Sequence, residues 1–251
     1  MSQIGKYIYC IIEEKYDRNF GTIGIGNRKD LVSTLNYDGI SAVISNTPMS
    51  KYVINRENLT AHEMVIEQVM KDYTVLPVRF CTIASNLEEI RSLLRRRYPE
   101  FKRLFREMDN KIEMGLKVIW KDMDAIFGEI SCSNKLIKKI KSNMAGPDAN
   151  IMIDAKSKIE AGKQVQKALA EKKEDEGQMI TRKFKRISVD IKENKIIGDA
   201  MLLNLACLID RTHEKEFDNT VNDLAAEYEN RLLFKYVGPI PPFNFVNIEV
   251  T

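Results

Sequence analysis

The sequence "KIEMGLKVIWK", residues 111–121, places an apolar side chain at every second position. This period of two is typical of a β-strand that buries one face. The strand follows a helical pattern and opens a second series of elements, so we predict two domains that divide near Asp109. The domains are residues 1–109 and residues 110–251, and the second includes a tail at 237–251.

The residues before this strand predict an N-terminal mixed α/β sheet domain. Strand patterns rich in β-branched and aromatic side chains occupy residues 6–14, 40–48 and 74–83. Helical patterns begin near Asn58 and near Ser85, each with the spacing of a capping box. The predicted order is β, β, α, β, α.

The residues after the strand predict a ferredoxin-like domain with long, charged helices. The second half of the chain reads β, α, α, β, α, β, which places helices on one face of an antiparallel sheet. Together the two halves give an α+β fold. The charge-dense region 154–194 is predicted to form two helical stretches divided at residues 171–177, the second with apolar residues at Ile180, Phe184, Ile187 and Ile191. The elements predicted after it are a strand at 200–210, a helix at 213–232 and a strand at 233–238.

The chain ends in an aromatic, proline-rich stretch, "YVGPIPPFNFVNIEV", residues 236–250. Proline lacks a backbone donor and fixes φ, which excludes a helix or a central strand. Disordered tails are poor in aromatic residues, so this one is predicted to be an ordered, extended strap over residues 237–245. Phe243 and Phe245 are predicted to anchor it from the same side.

The composition is that of an ordinary globular protein. The chain has 251 residues, and 39 basic against 36 acidic side chains give a net charge of +3. Such a balance argues against a nucleic acid as the main partner. The N-terminus lacks a signal-peptide pattern and the longest apolar run, residues 200–209, is too short to cross a bilayer. We therefore expect a cytoplasmic protein without a membrane partner.

Motifs for a cofactor, a metal or catalysis are missing from the sequence. The glycine-rich "FGTIGIG", residues 20–26, lacks the Lys-Ser/Thr end of a phosphate loop, and the "NRKDLV" that follows gives at best a short helix. A hairpin or bulge is the simpler explanation, and a phosphate-ligand enzyme is the alternative. His62 and His213 have no ligand cluster nearby and are predicted to be capping or surface residues. The cysteines are dispersed and predicted to be free thiols: Cys10, Cys81, Cys132 and Cys207.

A basic stretch at residues 91–107, "RSLLRRRYPEFKRLFRE", is the strongest charge signal. Arginines interleaved with Tyr98 and Phe101 are the mixture that a nucleic-acid groove uses. The apolar residues also have helical spacing, which favours two amphipathic helices with arginine-rich outer faces. An RNA-binding ferredoxin-like module therefore stays an alternative. "KLIKKIKS", residues 135–142, is interpreted in the same way.

Two motifs give a resemblance that spans nearly the whole chain. "LPVRFCTI", residues 76–83, and "YVGPIPPFNFV", residues 236–246, resemble the F/L family of gas vesicle accessory proteins. That family has Leu-Pro-Val-Arg-Phe-Gly and Gly-Pro-Trp-Pro-Pro-Tyr-x-Phe-Val in the same order. This chain departs from the pattern at three positions, with Cys81 for glycine, Ile240 for tryptophan and Phe243 for tyrosine.

The resemblance implies a non-enzymatic assembly factor that is associated with gas vesicles. It would bind the small hydrophobic shell subunit and other accessory proteins, with no small-molecule substrate and no cofactor. The expected interaction or structural residues are those of the two motifs. They are Arg79, Phe80, Tyr236, Pro239, Pro241, Pro242, Phe243 and Phe245.

In the "PVRF" part of the first motif, strand alternation predicts that Val78 and Phe80 share one side. Arg79 would then face the other side, where its guanidinium is suited to bidentate pairing with carboxylates. An ordinary solvated arginine is the alternative at this position.

Overall fold

The computed structural model describes residues 4–26, 28–133 and 155–248. The elements of the first part of the chain are β1 (Ile4–Ile12), β2 (Asn19–Gly21), β3 (Val32–Tyr37), β4 (Ile40–Pro48), α1 (Arg56–Met70), β5 (Val75–Pro77), β6 (Ile83–Ala84), α2 (Leu87–Arg96) and α3 (Tyr98–Met108). The later elements are β7 (Lys111–Trp120), α4 (Met123–Ser133), α5 (Ala155–Phe184), β8 (Ser188–Glu193), β9 (Met201–Asp210), a 3-10 turn (Arg211–His213), α6 (Glu214–Glu227) and β10 (Leu232–Ile240).

The first sheet has six strands, with β1 at its centre. The strand order is β2-β3-β4-β1-β5, and β6 also pairs with β1. The printed registers of β1 with β4, β5 and β6 are antiparallel. Every residue of β1 from Tyr7 to Ile12 is fully buried. A continuous apolar run of this kind is stable only in a strand that is covered on both faces.

Two hydrophobic cores cover the two faces of β1. The α2/α3 core contains Ile8 and Ile11 together with the apolar faces of α2 and α3. The α1 core contains Tyr7, Tyr9, Cys10 and Ile12 together with the apolar face of α1. The register of β1 with β4 shifts between Ile8 and Cys10. Before this shift the odd-numbered residues of β1 face α1, and after it the even-numbered residues do. A β-bulge reverses the alternation of a strand in this way.

The second sheet has four strands in the order β10-β7-β9-β8. The apolar positions of β7 that the sequence singled out are all buried. Strand β9 is buried along most of its length. Strands β10 and β8 form the two edges, and their side chains are mostly exposed.

The structure divides into two compact units. The first comprises residues 1–114, 208–212 and 237–251, and the second comprises residues 115–207 and 213–236. The predicted division near residue 109 differs from these units because it assigned the tail to the second domain. The tail belongs to the first unit because its apolar residues pack in the α2/α3 core.

No element was predicted for residues 33–37, so strand β3 was missed. Strand β3 covers Val32–Tyr37 and forms a hairpin with β4. Asp38 and Gly39 connect the two strands, and both have positive φ. This is the geometry of a type I′ turn, for which Asp-Gly is a preferred pair, so the signal for the hairpin was present in the sequence.

The predicted division into two helices at residues 171–177 is wrong, because α5 runs without a break from Ala155 to Phe184. The predicted helix also extends too far, through Ile191. The helix ends at Phe184, and Ser188–Glu193 is strand β8. Branched side chains at Ile187, Val189 and Ile191 favour a strand, because they are restricted at χ1 in a helix. The helical spacing of Ile187 and Ile191 relative to Phe184 therefore does not indicate a helix.

An ionic cluster in the second unit fixes α5 against its neighbours. Arg231 donates to both carboxylate oxygens of Glu129, at 2.6 and 2.9 Å, and to Glu176 at 2.7 Å. Lys172 contacts the same two carboxylates at 2.8 and 3.1 Å. The indole Nε1 of Trp120 donates to Glu176 at 2.9 Å. The two cations lower the pKa of Glu129 to about 2.

Replacing the central cation of this cluster should destabilise the protein. We expect Arg231→Gln to lower the free energy of unfolding by about 2 kcal/mol, between the values typical of exposed and buried pairs. Lys167→Gln is the matched control, because its pair with Glu171 at 3.8 Å is exposed. Denaturant unfolding measures both variants, and equal effects would contradict a special role for Arg231.

Candidate interaction surfaces

The first family motif, residues 76–83, is not one continuous strand. Val78 donates its amide hydrogen to the Tyr9 carbonyl at 2.9 Å, and the chain then turns. The hydroxyl of Thr82 donates to the Arg79 carbonyl at 2.7 Å and closes the turn. Val78 lies in the α2/α3 core, whereas Phe80 packs against the α1 core. The prediction that Val78 and Phe80 share one side is therefore wrong, because the turn interrupts the alternation.

Cys81 occupies the position where the family has glycine. Its φ is +64°, in the left-handed region that glycine adopts without steric cost. An L-residue in this region costs roughly 1–2 kcal/mol. The Cys81 sulfur accepts a hydrogen bond from the Tyr52 amide at 3.2 Å, a contact that glycine cannot make. The positive φ at this position explains why the family pattern has glycine there. This chain keeps the same turn with cysteine.

Tyr7 and His62 hold this turn from inside the first unit. The Cys81 amide donates to the Tyr7 hydroxyl at 2.8 Å, and that hydroxyl lies 3.0 Å from His62 Nδ1. A neutral imidazole carries one N–H, and because His62 donates it to the backbone of Val78, Nδ1 accepts from the Tyr7 hydroxyl. The other imidazole nitrogen bonds the Val78 carbonyl. The histidine therefore connects α1 to both ends of the turn.

His62 is buried, with 3% of its surface exposed, so its predicted place at a cap or on the surface is wrong. Burial lowers its pKa to about 4. A signal was available in the sequence, because His62 precedes Val65, Ile66 and Val69 at helical spacing and so shares their face.

The proline-rich tail combines a strand end with a turn. Residues 237–240 complete β10, which includes Pro239 after a cis peptide bond. A turn follows, in which the Val246 amide donates to the Pro242 carbonyl at 2.9 Å. Val246 and Ile248 are buried in the α2/α3 core. The predicted strap is thus extended only in part.

A buried carboxylate holds the turn of the tail. The backbone amide and the side-chain amide of Asn244 donate to the two oxygens of Glu113, at 2.8 and 2.6 Å. Glu113 is 1% exposed although it occupies a polar position of the β7 pattern. Two charge-assisted hydrogen bonds of this kind offset the cost of burying the carboxylate. Sequence alternation alone had assigned Glu113 to an outer face.

The first motif lies beside the end of the tail in the first unit. Val78 forms a parallel bridge with Ile248, and the Arg79 amide donates to the Ile248 carbonyl at 3.4 Å. Phe243 packs against the α1 core and Phe245 against the α2/α3 core. The prediction that these two rings point to the same side is therefore wrong, because the turn separates them.

The remaining predicted site residues divide by exposure. Pro241 and Pro242 are buried, whereas Arg79, Tyr236 and Pro239 are exposed. The buried residues support the fold of the first unit. A recognition role for the exposed ones stays a prediction.

The glycine-rich segment connects β2 to β3. A Cβ at Gly24 would lie 2.7 Å from the Asp30 carbonyl oxygen, so glycine permits a close backbone approach. The Ile25 amide donates to the Tyr9 hydroxyl at 2.7 Å and fixes the segment to the sheet. Within residues 4–26, 28–133 and 155–248, no group of three His, Cys, Asp or Glu side chains could hold a metal. No helix in these ranges is long and apolar enough to span a bilayer.

The basic helices α2 and α3 are partly neutralised by carboxylates on the same face. Arg97 makes two hydrogen bonds of 2.7 Å to Glu100, and Arg103 makes one of 2.6 Å to Glu107. Lys102 pairs with Glu13. These pairs reduce the charge available to a phosphate backbone, which disfavours the RNA-binding alternative at this stretch. The similar basic segment at 135–142 lies outside the described residues.

A groove lies between α5 and α6 in the second unit. Its volume is about 350 Å³. Ile180 and Leu224 are buried beneath it, and Met179 is 52% exposed beside them. The remaining lining residues are Arg182, Lys183, Arg186, Glu227 and Tyr228. The groove therefore combines an apolar floor with a largely basic rim.

Comparison with known proteins identifies the family. The family model described as gas vesicle synthesis protein GvpL/GvpF matches residues 5–247. The chain belongs to the GvpL/GvpF family. This result confirms the family that the two motifs indicated, which is a non-enzymatic gas vesicle family.

Relatives and solved structures of the GvpL/GvpF family agree over the full length of the chain. Gas vesicle protein F of Nostoc sp. is 26% identical over 97% of this chain and 98% of that protein. The Microcystis aeruginosa protein F is 26% identical over 98% of this chain and 99% of its own length.

The crystal structure of GvpF from Anabaena sp. PCC7120 matches with a TM-score of 0.84 at 26% identity, over 100% of both chains. The structure of GvpF from Microcystis aeruginosa gives a TM-score of 0.80 at 25% identity, over 96% of this chain and 98% of that one. The predicted α+β class with two sheets is confirmed in this coarse form.

The buried histidine should make stability depend on pH. Below pH 6.5 the unfolded chain binds a proton at His62, whereas the folded chain resists protonation until about pH 4. The stabilisation is therefore complete above pH 6.5 and is lost as the pH falls toward 4. We expect a loss of about 3 kcal/mol from this group.

Chemical denaturation between pH 7 and pH 4 measures this loss. The variant His62→Gln should show a shallower dependence on pH than the unsubstituted protein. His213→Gln, at an exposed histidine, should keep the steep dependence. Parallel curves for the His62 variant and the unsubstituted protein would show that His62 is not the cause.

The tail should contribute to the stability of the isolated protein. Truncating Ile248, which is buried, is expected to lower the unfolding free energy by about 2–4 kcal/mol. Asn247→Ala, at the exposed neighbouring position, should change it by less than about 0.5 kcal/mol. If Ile248→Ala unfolds like the unsubstituted protein, the tail is a free recognition peptide instead.

Proposed function

We propose that this chain acts in gas vesicle synthesis as a cytoplasmic assembly factor associated with gas vesicles. In this role it binds the small hydrophobic shell subunit and other gas vesicle accessory proteins. Membership of the GvpL/GvpF family supports the setting of gas vesicle synthesis. The partners and the binding surface are inferences from the chemistry of the groove.

A hydrophobic shell subunit needs a partner before it assembles. A protein that forms a gas-facing wall carries apolar surface that water does not favour, and large exposed apolar patches lead to aggregation. An accessory protein that covers this surface temporarily keeps the subunit available for assembly. This requirement calls for a binding site with an apolar floor and a polar rim.

The α5–α6 groove is the observation that carries the proposal. Parallel ridges of two helices form the kind of site that receives an amphipathic helix of a partner. Ile180 and Leu224 supply the floor, and the flexible side chain of Met179 adapts to different apolar surfaces. We infer that a helix of the shell subunit places its apolar face on this floor.

The basic rim specifies the charge of the bound segment. Arg182, Lys183 and Arg186 are exposed, and none of them makes an ion pair within the described residues. In this respect they differ from Arg97 and Arg103, which pair with Glu100 and Glu107. A bound helix should therefore carry carboxylates beside its apolar face, since complementary charges orient a partner and accelerate its binding.

We also propose that the second sheet and its helices form a ferredoxin-like arrangement. The element order from β7 to β10 supports this, as does the strand order β10-β7-β9-β8. In such an arrangement the helices cover one face of the sheet. The groove between α5 and α6 would then lie on the outer side of that helical layer.

Substitutions in the groove should weaken capture of the shell subunit. We expect Met179→Glu, and separately the double variant Arg182→Glu/Arg186→Glu, to reduce affinity at least about tenfold, which is about 1.4 kcal/mol. Lys163→Glu on the exposed surface of the same helix is the control and should bind normally. Affinity capture of co-produced shell subunit measures the effect, and thermal melting verifies that each variant is folded.

The same capture distinguishes the alternatives. Binding that survives nuclease treatment and is lost in the groove variants supports the proposal. Binding that nuclease abolishes would identify an RNA-binding module. Undiminished capture by both groove variants would place the shell subunit elsewhere on the protein and overturn the proposed site.

A further inference from the structure

Strand β8 is an open edge of the second sheet. It pairs with β9 on one side, and no described strand pairs with its other side. Its burial pattern shows exposed side chains at four of six positions, and Val189 is 59% exposed. An unpaired edge of this length is a template for another strand unless it is protected.

The backbone hydrogen bonds show which residues of β8 face outward. The Asn194 amide donates to the Asn204 carbonyl of β9 at 2.7 Å, so the backbone of Asn194 points to β9. Polar backbone groups of alternate residues point to opposite sides of a strand. Asp190 and Lys192 then direct their backbone groups to β9, and Ile191 directs its own to the open edge.

The Ile191 amide supports this assignment. It donates to the Asp190 carboxylate at 2.8 Å, a contact with its own neighbour rather than with β9. The carboxylate thus satisfies an outward amide that an adjoining strand would otherwise satisfy. A short side-chain contact of this kind exchanges readily with a backbone partner, since both states contain one hydrogen bond.

The sequence of β8 is complementary to itself when it is reversed. If two copies of "SVDIKE", residues 188–193, run antiparallel about Ile191, each Asp190 lies opposite the Lys192 of the other copy. Opposite charges across an antiparallel pair are stabilising, and like charges are destabilising. The two Ile191 residues face each other at the centre and exchange their outward backbone hydrogen bonds.

We propose that two copies of this chain associate through their β8 strands, antiparallel, with the two-fold axis at Ile191. The self-complementary charges favour a second copy as the partner, because a two-fold axis brings one surface against itself. In the pair the Ile191 amide bonds the other copy, and Asp190 turns to Lys192. Pairing of two short strands makes a small interface, so the association is weak and depends on concentration.

Exchanging the two charges tests the pairing. In Asp190→Lys, lysines oppose lysines across the axis, and in Lys192→Asp, aspartates oppose aspartates. Each single variant should be monomeric in sedimentation velocity at concentrations where the unsubstituted protein associates. The double variant Asp190→Lys/Lys192→Asp restores opposite charges and should associate again.

The most specific test of the pairing mixes the two single variants. One chain then carries two lysines and the other two aspartates at positions 190 and 192, so each should bind the other although neither binds itself. Lys215→Asp, which changes an exposed charge on α6, is the control and should associate as the unsubstituted protein does. Circular dichroism confirms that all variants are folded.

A cross-link tests the register separately. In a Cys132→Ser background, which removes the exposed thiol, Ile191→Cys should form a disulfide-linked dimer under mild oxidation. Hydrogen-bonded residues opposite each other have Cα atoms about 5.5 Å apart, within disulfide range. Val189→Cys should not cross-link, because its two copies would be about 13 Å apart at the rise of a strand.

Several outcomes overturn the proposal. It is wrong if the unsubstituted protein is monomeric at every concentration, or if the single charge variants associate as strongly as it does. It is also wrong if the charge variants remain monomeric like the unsubstituted protein but lose capture of the shell subunit. In that case β8 would be the strand that receives the shell subunit, and the groove variants would show no loss of capture.

Discussion

The hydrogen bonds from Tyr7 and His62 to the turn at residues 78–82 are the constraint on which the first unit depends. They direct a buried tyrosine of the central strand and a buried histidine of α1 to the same short segment. This turn also pairs with the end of the tail, through the backbone bridge between Val78 and Ile248. Because each buried polar group has a partner, the network specifies one arrangement of strand, helix, turn and tail.

This constraint separates supporting residues from those available to partners. The two motifs that indicated the GvpL/GvpF family each place part of their residues in the cores of the first unit, among them Leu76, Val78 and Val246. This chain shares the motifs with the family pattern because these residues build the fold. The positions at which it departs from the pattern follow the requirements of backbone conformation and packing. Cys81 at a positive φ illustrates this point, since the glycine of the family pattern is a conformational requirement.

The second unit presents a different balance of charge. Its central ionic cluster satisfies Glu129, Glu176 and Arg231 among themselves, and so leaves little charge for a partner. The rim of the α5–α6 groove and the edge of β8 instead retain exposed charges beside apolar side chains. Because its paired charges lie in the cluster and its exposed charges lie at the groove and at the β8 edge, one protein can have both a rigid scaffold and adaptable contact surfaces.

The sequence by itself determined the elements whose pattern is local. The period of β7, the stripe of α6, the class of the fold and the family motifs could all be read from neighbouring residues, since side-chain spacing reflects a single strand or helix. Tertiary structure alone decided the bulge in β1, the opposite directions of Phe80 and Val78, the burial of Glu113 and the hydrogen-bond partner of His62. The two polar residues bond partners more than fifty residues distant in the chain, Tyr7 for His62 and Asn244 for Glu113, and the bulge depends on pairing with β4 more than thirty residues away. No local period encodes these contacts.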